Sequence, residues 1–210
     1  VHVPEHLSDE EAACLPCAGL TAWNALFGHT PIKPGDTVLT LGTGGVSVFA
    51  VQFAHMAGAR VISTSSSEEK LSRVRELGAS ETINYKAKPE WHESVLKLTD
   101  GLGVDHVVEV GGSGTLGRSL RSVRMGGAVS MIGVLTQGDV NVMLILMKSV
   151  RLQGIYVGSR SMFQDMNRAL SQHKSKPVVD RIFPFSEARA AYEYLRSGSH
   201  FGKVVIRVGS

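Results

Sequence analysis

The sequence predicts an α/β fold of the Rossmann type: a doubly wound parallel sheet in a three-layer αβα arrangement. Two observations predict it. Short β-branched runs alternate with stretches of helical length, which implies successive βαβ units and a parallel sheet covered on both faces. The first of those runs also ends in a glycine-rich turn that leads straight into a helix.

The run TVLTL at 37–41 reads as a buried strand, and VSVFAVQFAHMAG follows as a helix stopped at Gly58. RVIST at 60–64 is a second strand. The stretch SSEEKLSRVRELG is a helix with a serine cap, acidic residues in its first turn and Gly78 just past its end. ETINY at 81–85 is a third strand, and PEWHESVLKLT is a helix opening on Pro89. VDHVVEV at 104–110 is a fourth strand, TLGRSLRSV a short helix, GAVSMIGV a fifth strand and RLQGIYVG a sixth. The apolar run from Met143 to Met147, just before the sixth strand, reads as core packing. SMFQDMNRALSQH and FSEARAAYEYLRSG are helices, and KVVIRV is a closing strand. No internal repeat or low-complexity segment interrupts the pattern.

A chain of 210 residues suffices for one sizeable domain, or a domain with an appendage. With 43% hydrophobic and 20% charged residues it reads as an ordinary soluble globular chain. The net charge of +3 is mild, and the Lys and Arg residues are scattered rather than gathered into a run, which argues against a nucleic-acid partner. No apolar run reaches the roughly 18 residues of a membrane helix, and no signal-peptide pattern is expected in the opening stretch. Two cysteines, Cys14 and Cys17, are too few for a disulfide scaffold, so a reducing cytoplasm is the expected setting.

The glycine turn is Gly42-Thr43-Gly44-Gly45-Val46-Ser47. Gly42 can make the tight turn out of the strand. Gly44 has no Cβ, so the backbone there can approach a pyrophosphate, and the free N–H groups and positive end of the next helix face the same place. Ser47 stands where a third glycine would let helix and strand pack closely. Two other readings compete: a glycine turn that binds nothing, and an adenosine site of the methyltransferase kind.

A dinucleotide site that prefers a free ribose ends its second strand in an acid about 20 residues on. Here the strand ends at Thr64 and Ser65 follows. Ser65, Ser66 and Ser67 offer hydroxyls without repelling a 2′-phosphate, Lys70 adds a positive charge, and Tyr85 adds a phenol. This chemistry favours NADPH over NADH. Glu68 and Glu69 count against it unless they are first-turn acids facing solvent.

Cys14-Leu15-Pro16-Cys17 is a CxxC without the strand-to-helix setting of a redox site, and no second ligand pair accompanies it, so buried free cysteine is the expected role. The histidines, among them His29, His55, His92, His106 and His200, read as solvated or structural, and no acid/base residue is assigned.

PCAGLTAWNAL, PGDTVLTLGTGGVSVFAVQFAHMAGARVI, ELGASETINY, GVDHVVEVGG and GKVVIRV together resemble the medium-chain dehydrogenase/reductase superfamily, in particular its zinc-type alcohol dehydrogenases and quinone oxidoreductases. The resemblance implies three parts. Residues 1–18 belong to a junction with an N-terminal catalytic domain, 19–157 form the dinucleotide-binding domain, and 158–210 fold back on the catalytic domain. It implies NAD(P)(H)-dependent hydride transfer to or from a carbonyl or alcohol, a quinone or an activated alkene. The present chain would then bind cofactor without turnover. The alternatives are a non-catalytic nucleotide-binding module with a sensing role, and a zinc-dependent alcohol dehydrogenase whose ligands the preceding domain supplies.

The same resemblance places Thr21 on the nicotinamide side of the cleft, and Gly44, Gly45 and Val46 at the pyrophosphate. It places Ser65, Ser66, Lys70 and Tyr85 at the adenosine ribose phosphate, Val110 and Gly111 above the cofactor, and Gly133 and Val134 after the fifth strand. Tyr156 and Val157 fall near the carboxamide, and Lys203 near the cofactor. Cys17 matches the last catalytic zinc ligand of zinc-dependent members, whose other ligands come from the preceding domain, so zinc is not expected in this chain alone. A homodimer through the edge strand near residues 151–156 is expected.

Overall fold

The alternating runs build one parallel sheet between two apolar layers. A computed structural model describes residues 1–134 and 136–209. Among them, β1 (Thr37–Leu41), β2 (Arg60–Ser65), β3 (Glu81–Asn84), β4 (Val104–Glu109), β5 (Val123–Met131) and β6 (Arg151–Gly154) pair in the order β3-β2-β1-β4-β5-β6, all parallel. The helices of the described residues are α1 (Asp9–Ala12), α2 (Leu20–Phe27), α3 (Gly45–Met56), α4 (Glu68–Glu76), α5 (Trp91–Leu98), α6 (Ser113–Ser122), α7 (Met143–Lys148), α8 (Arg160–His173) and α9 (Ala188–Ser197).

Side-chain alternation along β1 feeds both layers. Val38 packs into one with Phe49 and Phe53 of α3 and Leu26 of α2; Leu39 and Leu41 pack into the other with Trp91 of α5 and Leu116 and Leu120 of α6. Register is fixed where Thr40 Oγ1 donates to Ser63 Oγ at 3.0 Å across the β1–β2 pair. Strands β1 to β3 are added in one direction and β4 to β6 in the other, so the crevice between β1 and β4 opens at their carboxyl ends.

Several elements differ from the sequence expectation. The stretch before β1 is largely helical: α1 carries a reciprocal cap between Ser8 and Glu11, a π-helical turn spans Leu15–Gly19, and α2 follows directly. Pro16 falls in the first turn of that π segment, where its missing N–H costs nothing. A further strand, β7 (Val179–Pro184), pairs in parallel with β8 (Lys203–Arg207) as a separate two-stranded sheet. The expected core role of residues 143–147 is corrected. In α7, Met143, Leu146 and Met147 are exposed, and only Leu144 and Ile145 touch the core. A six-residue helix on the outside of a sheet can turn only one side inward.

The small sheet is anchored to α4 by a polar cluster. Arg73 pairs with Asp180 of β7 at 3.1 Å, Tyr194 of α9 donates to the same carboxylate at 2.6 Å, and the Arg73 guanidinium lies 4.1 Å from the centre of the Phe201 ring. Burial pushes the Asp180 carboxyl up, but hydrogen bonds from Tyr194, the Phe201 backbone and Arg73 outweigh it, and it stays below its ordinary value of 3.8. A carboxyl with a lowered folded pKa stabilises the fold above its unfolded pKa, and that contribution is lost as pH falls through the folded value. Asp180→Asn should therefore cost about 1–3 kcal/mol in urea unfolding at pH 7. The gap from the wild type should hold down to about pH 5 and narrow as pH falls below 3.8.

Candidate functional site

At the carboxyl end of β1 the chain turns through Gly42, whose φ of +70° suits glycine, and enters α3 at Gly44. A Cβ built on Gly42 or Gly44 would meet nothing within 4 Å, so the backbone in front of the helix is bare. Gly45 is different: a Cβ there would come 2.6 Å from Lys203 Cδ and 3.3 Å from Ala18 Cβ. Ser47 replaces the third glycine with a benefit of its own, because its buried hydroxyl donates to the Leu41 carbonyl at 2.6 Å and ties helix to strand.

The loop is also held from behind. Gly44 forms an isolated parallel bridge with Gly202, and the Gly202 amide donates to the Thr43 carbonyl at 3.0 Å. The wall opposite is built on Glu109, a fully buried carboxylate at the end of β4. It accepts from the Gly111 amide at 2.7 Å, the Gly112 amide at 3.2 Å, Thr115 Oγ1 at 2.6 Å and Ser119 Oγ. Four donors satisfy a polar group that would otherwise be costly to bury. Next to it, a Cβ on Gly133 would fall 2.1 Å from the Val110 carbonyl oxygen, so only glycine lets the loop after β5 pass.

Between these walls lies a cavity of about 580 Å³ at the β1–β4 crevice. Eleven of the sequence-predicted residues line it: Gly42, Gly44, Gly45, Val46, Ser65, Ser66, Lys70, Tyr85, Val110, Gly133 and Val134. A second cavity of about 450 Å³ shares Leu41, Gly42, Tyr85 and Val110 with it and adds Gly111, Pro89, Trp91, Thr115 and Arg118. The first presents amides, hydroxyls and an ammonium; the second is mainly apolar, as a flat heterocycle requires. A larger cavity, about 700 Å³, lies between residues 1–6 and α8, away from the strand ends where ligands of such sheets bind.

Four predicted residues lie outside both linings. The Thr21 hydroxyl is buried and donates to the Cys17 carbonyl at 2.7 Å within the helical segment. Tyr156 is 95% exposed. Val157 has φ +52° and accepts at its carbonyl from Asn24 Nδ2 at 2.8 Å. Lys203 lays its stem against Gly45.

The serine cluster also divides in use. Ser65 is buried at the end of β2 and Ser66 lines the cavity, whereas the Ser67 hydroxyl caps α4 by accepting from the Lys70 amide at 3.4 Å. Glu68 is exposed but accepts from Asn84 Nδ2 at 2.6 Å. Lys70 is half-buried, and its ammonium donates to the Gly198 carbonyl at 2.6 Å. Burial lowers its pKa, opposed by Asp180 and Glu69.

The chain matches the zinc-binding dehydrogenase family over residues 45–172, more than half its length. The chain belongs to that family. Within the medium-chain dehydrogenase/reductase superfamily it is 49% identical to a zinc-type alcohol dehydrogenase-like protein of Schizosaccharomyces pombe, over 99% of this chain and 62% of the relative. A solved NAD-dependent alcohol dehydrogenase superposes with a TM-score of 0.92 at 36% identity, covering 100% of this chain and 62% of that one. A mycobacterial protein solved with NADPH superposes at 0.89 with 28% identity, covering 99% and 67%. The chain thus spans about three fifths of the length of the Schizosaccharomyces pombe relative and of a second zinc-type alcohol dehydrogenase-like protein, from Leptosphaeria maculans.

The family's zinc finds no matching donor set among the described residues, where no three His, Cys, Asp or Glu side chains are grouped to hold a metal. Cys14 is buried, its thiol pushed up by burial and donating to the Glu10 carbonyl, while Cys17 is exposed and unbridged. A dinucleotide does fit the bare glycine backbone and the apolar neighbouring cavity. If Gly44 is there for close approach, Gly44→Ala should leave urea stability within about 0.5 kcal/mol of wild type. Dinucleotide affinity, read by fluorescence titration, should fall by about tenfold or more.

Proposed function

We propose that this chain is the dinucleotide-binding part of an NAD(P)(H)-dependent oxidoreductase. The reaction is hydride transfer to or from a carbonyl or alcohol, a quinone or an activated alkene, with NADPH preferred. The observation that carries the reading is the single cleft that joins the bare glycine turn to Ser65, Ser66 and Lys70, with no carboxylate ending β2. A bound nicotinamide would supply the hydride chemistry. The chain's own part is to hold the diphosphate at the α3 N-terminus, to seat the adenine beside Trp91 and Pro89, and to meet the 2′-phosphate with Lys70.

In the same reading, residues 19–157 are the cofactor domain. Residues 1–18 and 158–210 face a further domain of the whole protein, and substrate is bound between that domain and the cleft. The apolar surface of the small-sheet unit supports this: Ile182, Phe185, Tyr192, Leu195 and Val208 are all exposed. The outer edge of β6, together with the exposed Met143, Leu146 and Met147 of α7, supports a homodimer. Two unbridged cysteines support a reducing, cytoplasmic setting.

Fluorescence titration should show tighter binding of NADPH than of NADH, and Lys70→Ala should weaken NADPH about tenfold while changing NADH less than about twofold. Tighter NADH, or equal losses, would remove the phosphate assignment. Sedimentation velocity should return the mass of two chains, and a monomer at all concentrations would remove the dimer.

A further inference from the structure

The segment Gly198 to Gly202 was not part of the predicted site, yet it forms one side of the cleft. Gly198 and His200 line the same cavity as Ser65, Ser66, Lys70 and Tyr85. Lys70 Nζ donates to the Gly198 carbonyl at 2.6 Å, Phe201 is buried beneath Arg73, and Gly202 is bonded to the glycine turn. The imidazole is thus carried on a short segment held on both sides, with its Nδ1 enclosed and without a hydrogen-bond partner among the described residues.

The charged groups around the ring are Lys70 from α4, Asp180 from β7 and Lys203 from β8; Arg73 of α4 covers the adjoining Phe201, and the Tyr85 phenol lines the cavity from the end of β3. Two lysines against one aspartate make a cationic surround. It disfavours a proton on the ring until an anion enters.

We propose that His200 is a specificity-determining residue for the 2′-phosphate, taking up a proton when NADPH binds and not when NADH binds. This rests on the reading of the cleft as an NADPH site. Burial, then Lys70, hold the free imidazole below its ordinary pKa of 6.5, with Asp180 opposing. A phosphate dianion beside the ring reverses that balance and makes both ring nitrogens donors. By linkage, preference for NADPH rises as pH falls, by up to about tenfold per pH unit for one proton taken up. The phosphate's own second pKa, about 6, acts in the opposite direction, so it cannot produce the rise.

The test is fluorescence titration of the full chain with NADPH and with NADH at pH 8.5, 7.5 and 6.5 and constant ionic strength. The quantity read is the Kd ratio of NADH to NADPH. In the wild type it should rise by at least about threefold from pH 8.5 to 6.5. In His200→Asn it should stay flat or fall, with the Kd for NADH within about twofold of wild type at each pH. That last condition separates a specificity role from a structural one, and a ratio that still rises in the variant would assign the pH dependence to another group such as Lys70 and overturn the inference. Should His200→Asn fail to fold, His200→Gln is used, together with proton NMR of the wild-type ring. Its titration midpoint should rise by about one unit or more with 2′,5′-ADP but not with 5′-AMP. A flat wild-type ratio, a variant that keeps the wild-type profile, or a midpoint unmoved by 2′,5′-ADP overturns the inference. Equal affinity for the two dinucleotides at every pH overturns the cofactor reading as well, whereas a high ratio unaffected by the variant overturns this inference alone.

Discussion

The site depends on one constraint: the backbone between β1 and α3 must stay bare on its cleft side while being held on its other side. Gly44 and Gly45 divide that task. Nothing stands within 4 Å of a Cβ position on Gly44, whereas Gly45 is enclosed by Lys203 and Ala18. The bridge from Gly44 to Gly202 and the amide bond from Gly202 to Thr43 brace the turn without occupying its open face. A glycine loop left unsupported would lose conformational entropy on meeting a ligand. Here the small sheet and the helical segment before α2 have already ordered it.

The opposite wall uses a buried polar side chain for the same purpose. Glu109 gathers the amides of Gly111 and Gly112 and the hydroxyls of Thr115 and Ser119 of α6, so the loop that meets the cleft is shaped by hydrogen bonds to one buried side chain. Gly133 passes so close to Val110 that the loop after β5 is held against the end of β4 and forms part of the same wall. Positioning therefore draws on residues such as Glu109 and Ser119, which line neither cavity, as well as on Val110 and Gly133, which do. The polar cluster of Arg73, Asp180, Tyr194 and Phe201 extends the same logic to the edge of the site, since it sets where His200 stands.

Much of this was legible in the sequence. The six strands of the sheet, the helices between them, the turn at Gly42 and the missing acid after β2 were all readable, because each is a local pattern of period, cap or turn. Eleven of the sixteen named positions line the main cavity and Gly111 lines its neighbour. Glu109 left a signal that went unused: a carboxylate inside the apolar run VDHVVEV has no place in a buried strand unless donors meet it. The segment before β1 received no element from the sequence; its π-helical turn at Leu15–Gly19 accommodates Pro16 because a first turn tolerates proline. In α7 hydrophobicity does not translate into burial, because most of a short outer helix faces water.

Thr21, Ser67 and Lys203 have contacts that the sequence does not show: the Thr21 and Ser67 hydroxyls bond helical backbone, and Lys203 packs its stem on Gly45. His200 shows the converse: a histidine that reads as structural is brought to the cleft by contacts such as that of Lys70 with Gly198, 128 positions away. The sequence by itself determined the strand and helix pattern, the glycine turn and the family, because backbone conformation and side-chain period are properties of neighbours in the chain. Only the tertiary structure decided which hydroxyls stay free, what braces the turn and which histidine joins the site, because those follow from the packing of segments that no local pattern relates.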